Sequence, residues 1–205
     1  VSDYIGMKDN LNVGISPQLR KTFELADAEG LILLHVNSLG YHEIYINGTK
    51  AGRNVLVPAV SQFDRRSLVI TYDITSLVVK GENELMLWLG SGWYTDGLPG
   101  VVHNGPLVRI QLENVDGRSR EILLASDSLW AGRISSYTRQ GDWRPNRFGG
   151  EIVDGALAKT DLKGDAPGRE WNAVSVVEVP AHSVTPQMTE VNRIMESWEA
   201  ARVVK

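Results

Sequence analysis

The chain has 205 residues, enough to bury the core of one large domain, and its 42% hydrophobic and 22% charged residues are typical of a globular protein. A net charge of −4 argues against a nucleic-acid partner, which requires a clustered basic surface, and no apolar run approaches the roughly eighteen residues of a membrane span. The absence of cysteine excludes disulfides, thiolate catalysis and zinc–thiolate sites.

Short β-type segments separated by turn residues dominate the first two thirds of the chain. The alternation after His42 puts Ile44 and Ile46 on one face of a strand and Glu43 and Tyr45 on the other. Hairpin turns are predicted at Asn47-Gly48 and Asp116-Gly117, and a single helical turn at 73–77, ended by Gly81. We predict strands over 31–37, 42–47, 67–72, 84–89, 107–113 and 119–125.

The remaining third of the chain has weaker periodicity. Residues 131–168 are rich in Gly, Arg, Asn and Pro, which indicates long loops over a scaffold, where binding residues tend to lie. From Pro186 onward, apolar residues have helical spacing, yet an extended connector is equally compatible, and we favour the connector. Short strands, two hairpin signals and 20 glycines together predict an all-β antiparallel sandwich or jelly roll with long loops.

Four ordered motifs carry a resemblance to a known family. They are Leu-Gly-Tyr-His-Glu-Ile-Tyr-Ile-Asn-Gly at 39–48, Gln-Phe-Asp-Arg-Arg-Ser-Leu at 62–68 with Thr-Tyr-Asp-Ile-Thr at 71–75, Lys-Gly-Glu-Asn-Glu-Leu at 80–85 running into Leu-Gly-Ser-Gly-Trp-Tyr at 89–94, and Gly-Glu-Ile-Val-Asp at 150–154. In this order and spacing they resemble the N-terminal domain of bacterial α-L-rhamnosidases, although Val153 replaces an aromatic residue there. The Tyr-Ile-Asn-Gly hairpin at 45–48 and the run from Asp-Ile-Thr at 73–75 to Gly-Glu-Asn at 81–83 also recur in the sugar-binding jelly rolls of β-galactosidase-type enzymes. The Gly-Ser-Gly-Trp-Tyr motif at 90–94 and the ordered set favour the rhamnosidases.

The resemblance implies a galactose-binding-domain-like sandwich over 18–180, a lead-in over 1–17 and a connector over 181–205 toward a catalytic domain that the sequence lacks. Enzymes of this family hydrolyse terminal α-L-rhamnose with inversion, using acidic residues of a separate (α/α)₆-barrel. No motif of that barrel occurs in the 205 residues, so no catalytic residue is assigned. The expected partners are L-rhamnose or rhamnosides and the barrel of the same polypeptide, with neither nucleic acid nor membrane.

Aromatic side chains are the first candidates for a sugar site, because sugar rings stack on Trp and Tyr. Trp93 and Tyr94 follow two glycines at the end of a predicted strand, where they contact either a ligand or the core. Trp88 is expected in the core, and Trp130 and Trp171 in packing roles. A second candidate group, in a predicted loop, combines a ring with carboxylate, guanidinium and amide groups, as a saccharide site requires: Asp142, Trp143, Arg144 and Asn146. The alternative for this group is a salt-bridged loop or a contact with other domains.

Acidic residues and histidines leave the question of a metal open. Glu151 and Asp154 are candidates for sugar or cation binding, or for hydrogen bonds that hold a loop. The four histidines lack metal-ligand spacing, so no cofactor is assigned, but calcium needs no regular spacing and stays open without a named site. The N-terminus, which lacks Met, is expected to be that of an excised segment. The compartment is not determined, with the periplasm or secretion favoured.

Two functions remain open from the sequence alone. The chain is expected to be a non-catalytic carbohydrate-binding domain of an α-L-rhamnosidase. The alternative is a purely structural module that supports the catalytic barrel, which predicts an exposed apolar patch where the partner domain packs.

Overall fold

The computed structural model describes residues 2–8, 14–26, 30–94, 98–141, 149–163, 165–199 and 201–202. In these residues β-structure predominates, and one helical turn, α1, is present. The elements in chain order are β1 (Ile5–Gly6), β2 (Ile15–Leu25), β3 (Leu31–Leu39), β4 (Tyr41–Ile46), β5 (Thr49–Lys50), β6 (Arg66–Asp73), β7 (Gly81–Gly90), β8 (Leu107–Asp116), β9 (Ser119–Ala125), β10 (Ala131–Gln140), β11 (Gly150–Val153), α1 (Gly155–Ala158), β12 (Asn172–Ala173), β13 (Ser175–Val176) and β14 (Ser183–Pro186).

The strands form two sheets that pack as a sandwich. The first sheet has the order β13-β1-β8-β3-β6-β14, with β9 also paired to β8. The second has the order β11-β10-β2-β7-β4-β5, with β12 also paired to β10. All pairings between these strands are antiparallel except that of β14 with β6, which is parallel. The prediction of an all-β antiparallel sandwich is confirmed.

The core lies between the two sheets and follows from the alternation of side chains along each strand. Ile32, Leu34 and Val36 of β3 are completely buried, and Leu85 and Leu87 of β7 lie opposite them in the same hydrophobic cluster. Each such side chain contributes about 1.5–3 kcal/mol by leaving water. A smaller apolar cluster lies apart from this core and contains Tyr4, Leu39, Phe63, Tyr94 and Leu107.

Gly40 is the only residue between β3 in the first sheet and β4 in the second. Its φ of 107° lies in a region that side-chain-bearing residues rarely adopt. A Cβ atom at this position would lie 2.5 Å from the carbonyl oxygen of Gly90 and 3.0 Å from Cβ of Pro106. Glycine is therefore required for the chain to cross from one sheet to the other without a loop.

The six predicted strands are present as β3, β4, β6, β7, β8 and β9. The turn between β4 and β5 has positive φ at Asn47 and Gly48, as the hairpin prediction requires. Gly117, between β8 and β9, also has positive φ. A turn follows β6, where the amide of Leu77 donates to the carbonyl of Ile74.

The prediction of long loops over 131–168 is wrong for a substantial part of that stretch. It contains β10, a ten-residue strand that pairs with β2, as well as β11 and α1. The strand was missed because polar residues, among them Arg133, Ser135 and Ser136, occupy buried positions along β10 and hide the apolar alternation. The eleven-residue β2 was also not predicted.

Both ends of the described chain contribute to the sandwich. β1 and the first residues of β2 lie within 1–17, and β14 lies within 181–205. Beyond β14, residues 187–199 contain no helix, so the helical alternative for this stretch is not observed. Its role as a connector to a further domain, and the division at 17/18 and 180/181, stay predictions. None of the helices in the described part is long and apolar enough to cross a membrane.

His42 is a buried titratable group within the core. Its Nδ1 lies 2.7 Å from Oγ of Ser38, its Nε2 lies 2.9 Å from the hydroxyl of Tyr72, and 2% of the residue is exposed. Burial lowers the pKa of the His42 imidazole from its usual 6.5 to about 3. The folded chain therefore keeps this ring neutral.

The low pKa of His42 predicts that the folded chain loses stability in acid. Between the unfolded pKa of 6.5 and the folded value of about 3, the unfolded chain binds a proton that the folded chain does not. Stability is thus fully present above the upper value and falls with falling pH, at up to about 1.4 kcal/mol per pH unit. We expect the free energy of unfolding, measured by denaturant titration at several pH values in this window, to depend less on pH in His42→Gln, because the variant lacks the imidazole. His35→Gln, a substitution on the outer face, should retain the pH dependence, and an unchanged pH dependence in His42→Gln would refute the assignment.

Candidate functional site

Two of the chain segments that carry predicted site residues leave the second sheet at the same end. β7 and β10 are both antiparallel to β2, so they run in the same direction and both end beside the start of β2. The segment after β7 carries Trp93 and Tyr94, and the connection from Gln140 to Gly150 leaves from the same end, on the other side of β2. Asp142, Trp143, Arg144 and Asn146 belong to this connection and lie outside the described residues.

Tyr94 is a packing residue. It is 2% exposed and lies in the smaller apolar cluster, where its ring meets Phe63 edge-on at 5.2 Å between centroids. Its hydroxyl accepts a hydrogen bond from the amide of Val102 at 3.1 Å. Tyr94 therefore has no face free for a sugar.

Trp93, its neighbour in the chain, is 45% exposed. Burial raises the pKa of the Tyr41 hydroxyl, and a hydrogen bond with the Trp93 side chain opposes part of that increase. Gly92 allows this contact, because a Cβ atom there would lie 2.7 Å from the Tyr41 ring and the φ of residue 92 is 51°. The Gly-Ser-Gly-Trp-Tyr motif thus places one aromatic ring at the surface and one in the core.

The prediction that Trp88 lies in the core is wrong. Leu87 and Leu89 face the core, so alternation along β7 turns Trp88 to the outer face of the second sheet, where it is half-buried. Its indole nitrogen donates to Oγ of Ser16 at 2.9 Å, and its ring meets Tyr137 edge-on at 5.5 Å. The packing role predicted for Trp130 agrees with the structure, since this residue is 1% exposed. Trp171 packs against the guanidinium of Arg20, which lies 4.4 Å from its ring centre.

The outer face of the second sheet therefore carries a group of aromatic rings near its loop end. Tyr41 lies opposite Gly90 on the neighbouring strand, and Trp88 lies two residues before Gly90, so Tyr41 and Trp88 are diagonal neighbours. We call the four residues Tyr41, Trp88, Trp93 and Tyr137 the aromatic surface. Its rings are half-buried or exposed, which leaves ring faces and edges available for C–H groups of a sugar.

The two acidic candidates differ in their contacts. Asp154 caps α1: its carboxylate accepts hydrogen bonds from the amides of Ala156 at 2.9 Å and Leu157 at 3.2 Å. This is the loop-holding role that the sequence left open. Glu151 lies exposed on β11, in register with Arg139 of β10. Within the ranges that the structure describes, no three His, Asp or Glu side chains are grouped to hold a metal ion.

A buried polar cluster, which sequence reasoning missed, holds the segment after α1 against the second sheet. Asp161 and Arg169 form an ion pair at 2.7 Å, with 2% and 5% of their side chains exposed. Arg133 donates to Oε1 of Gln18 at 2.8 Å and to the carbonyl of Asp161 at 2.9 Å, and it lies 4.2 Å from the ring centre of Trp171. Burial, and next the charge of Arg169, lowers the pKa of Arg133 to about 10.

The fold and this surface define a two-sheet antiparallel β-sandwich domain with an aromatic group at one sheet end. The family model described as the α-L-rhamnosidase N-terminal domain matches residues 31–196. The chain belongs to this family. The match resolves the alternative of a β-galactosidase-type jelly roll in favour of the rhamnosidases.

Relatives of known name agree. An α-L-rhamnosidase of Formosa agariphila is 33% identical over 184 residues, which are 84% of this chain and 19% of that protein. One of Streptomyces avermitilis is 32% identical over 117 residues, or 54% of this chain and 11% of that protein. The chain thus spans about a fifth or less of the length of these relatives.

Solved structures of α-L-rhamnosidases have the same fold. That from Dictyoglumus thermophilum is similar with a TM-score of 0.77 and 23% identity, over 95% of this chain and 23% of the other. The Streptomyces avermitilis enzyme, solved in complex with L-rhamnose, gives a TM-score of 0.72 and 24% identity, over 90% of this chain and 18% of the other.

Substitution of the two adjacent aromatics should separate packing from surface roles. Tyr94→Ala should lower the free energy of unfolding by about 3–5 kcal/mol, because it empties a buried site. Trp93→Ala should change it by less than about 1 kcal/mol, because half of that side chain is exposed. Urea denaturation measures both, and equal losses would contradict the different positions of the two rings.

Removal of one partner of the buried ion pair gives a second test of the structure. Asp161→Ala leaves Arg169 as an uncompensated buried charge and should cost about 3–5 kcal/mol. Glu190→Ala, which removes the partner of Arg193 in an exposed pair, should leave the urea midpoint essentially unchanged. Similar midpoints for the two variants would show that the Asp161–Arg169 pair is not buried in solution.

Proposed function

We propose that this chain is a non-catalytic carbohydrate-binding domain of a larger α-L-rhamnosidase, and that it binds L-rhamnose or a rhamnoside at the loop end of its second sheet. The observation that carries the proposal is the exposed ring of Trp93, which lies by Tyr41 at the sheet end where β10 ends and β11 begins. A stacking ring needs polar groups beside it to bind sugar hydroxyls. In our proposal Asp142, Trp143, Arg144 and Asn146 supply them.

The family adds a reason to expect a rhamnosyl ligand. The relatives are α-L-rhamnosidases, and the Streptomyces avermitilis structure is a complex with L-rhamnose. Hydrolysis of α-L-rhamnosides is then the activity of the parent polypeptide, outside this chain. Calcium stays part of the proposal as an accessory ligand, with Glu151 as a candidate, because its carboxylate is exposed on β11 near the same connection.

A second function is favoured by the exposed apolar side chains of the tail. Met188, Met195 and Trp198 are 91%, 83% and 81% exposed, although the tail is held to the sandwich at Val55, whose amide donates to the carbonyl of Asn192. Apolar groups of this size gain stability when another surface covers them. The alternative proposal is therefore a structural module that packs against the catalytic barrel through this tail.

Isothermal titration calorimetry with L-rhamnose and an aryl α-L-rhamnoside, with and without calcium, tests the first proposal. The chain should bind with a dissociation constant of about 0.1–1 mM, a weak affinity suited to one sugar ring. Trp93→Ala and Trp143→Ala should each weaken binding at least about fivefold, since each removes a stacking face. If the aryl group is nitrophenyl, no nitrophenol should be released, because the chain is not expected to hydrolyse the rhamnoside.

Trp198→Ala is the matched control, because it removes an exposed tryptophan in the tail and should leave sugar binding unchanged. Absence of heat with rhamnose, rhamnoside and calcium together would overturn sugar binding and favour the structural module. Unaltered binding in both Trp93→Ala and Trp143→Ala would overturn the location of the site.

A further inference from the structure

A concave region lies on the opposite side of the molecule from the aromatic surface. It is an open cavity of about 270 Å³ on the outer face of the first sheet. This volume is close to the lower end of the range of about 300–1,000 Å³ for ligand sites, so it suits one monosaccharide unit rather than a long chain. Its lining residues are Ser2, His35, Asn37, Val69, Arg109, Ile110 and Gln111.

Arg109 is the charged group of this cavity. Its guanidinium lies 4.9 Å from the ring centre of Tyr4, a cation–π contact that positions the side chain without using its hydrogen-bond donors. Arg109 forms no ion pair or hydrogen bond with any residue of the described ranges. A guanidinium with free donors in a fixed plane matches the two oxygens of a carboxylate.

Two of the neighbouring polar side chains, Asn37 and His35, already form hydrogen bonds within the protein. Asn37 accepts from Tyr4 and donates to Ser67 and to the carbonyl of Leu68, so its amide is fully used. His35 is likewise engaged, by Thr71 and Glu113 at 2.9 Å each.

Gln111 is available. It lies two residues from Arg109 on β8, hence on the same face, and among the described residues its amide has no hydrogen-bond partner. A carboxamide both donates and accepts, which suits sugar hydroxyls. Val69 adds an apolar wall.

An acidic side chain on the same strand and face, Glu113, is already paired with other groups. The carboxylate of Glu113 accepts from Arg120 at 2.7 Å and from His35 at 2.9 Å. The cavity therefore offers a guanidinium and an amide that have no hydrogen-bond partner among the described residues, and the neighbouring carboxylate of Glu113 is already paired.

We propose that this cavity is a second ligand site, which binds the carboxylate of an acidic sugar such as a hexuronate through Arg109 and its hydroxyls through Gln111. The site goes beyond the proposed rhamnose-binding function, since it lies on the other sheet and takes a ligand of a different charge. The carboxylate can come from a free sugar acid or from a uronic acid unit within a polysaccharide.

Titrations of the whole chain with D-glucuronate, a short oligoglucuronate, D-glucose and acetate distinguish these ligands by changes in amide chemical shifts. Glucuronate should bind at least about tenfold more tightly than glucose, which lacks the charge, or acetate, which lacks the hydroxyls, and binding should weaken with salt. Tighter binding of the oligomer would identify a polysaccharide as the source, and equal binding a free sugar acid. Equal binding of glucuronate and glucose, or of glucuronate and acetate, would overturn the proposal.

Variants locate the site. Arg109→Gln should lower glucuronate affinity about tenfold and Arg109→Lys less, because lysine keeps the charge but not the planar pair of donors. Gln111→Ala should also weaken binding. Arg118→Gln removes an exposed cation in the β8–β9 turn and should change nothing. Equal losses in Arg109→Gln and Arg118→Gln would overturn the site. Rhamnose binding should be unaffected by Arg109→Gln, so failure of either proposal can be recognised separately.

Discussion

Close contact between two backbone segments determines how this molecule is arranged. Where the chain passes from the first sheet to the second, a Cβ atom at residue 40 would lie 2.5 Å from the carbonyl oxygen of Gly90. The contact joins the start of β4 to the end of β7. Because Tyr41 follows Gly40 and Trp93 follows Gly92, the same corner also positions half-buried Tyr41 and exposed Trp93. The requirement for glycine in the fold and the geometry of the candidate site therefore have one origin.

The two outer faces of the sandwich have different chemistry, although both cover the same core. The outer face of the second sheet combines aromatic rings with a buried polar cluster built on Asp161 and Arg169. That of the first sheet carries a row of polar side chains around Arg109. Since the inner faces fulfil the packing requirement, side chains on the outer faces can vary without loss of the core. An accessory domain can in this way present separate surfaces to separate partners.

Much of the fold could be predicted from the sequence, and the reason is visible in β4. Ile44 and Ile46 alternate with polar residues there, and Asn47-Gly48 follows at once, so strand, face and turn are all local signals. β10 shows no such local signal. Its buried Arg133 donates to the carbonyls of Asp161 and Lys163, which lie 28 and 30 positions later in the chain. Long-range polar burial cannot be seen in local alternation.

The candidate site was predictable only in part. The motif at 90–94 indicated aromatic residues at a strand end, but only the turn at Gly92 decides that Trp93 faces solvent and Tyr94 the core. By its sequence Asp154 is a candidate for sugar or cation binding or for hydrogen bonds that hold a loop, and in the structure its carboxylate caps α1. The binding roles of Asp142, Trp143, Arg144 and Asn146 stay predictions.

The parallel strand β14 bears on how this domain can be excised. It pairs with β6 along Ser183–Pro186 and is an edge strand of the first sheet. In a fragment that stopped at residue 180, backbone amide and carbonyl groups of β6 would be unpaired. Such an exposed edge strand can pair with strands of other molecules and promotes aggregation. The folded sandwich of this chain thus includes Ser183–Pro186, a stretch that by sequence alone resembles a connector.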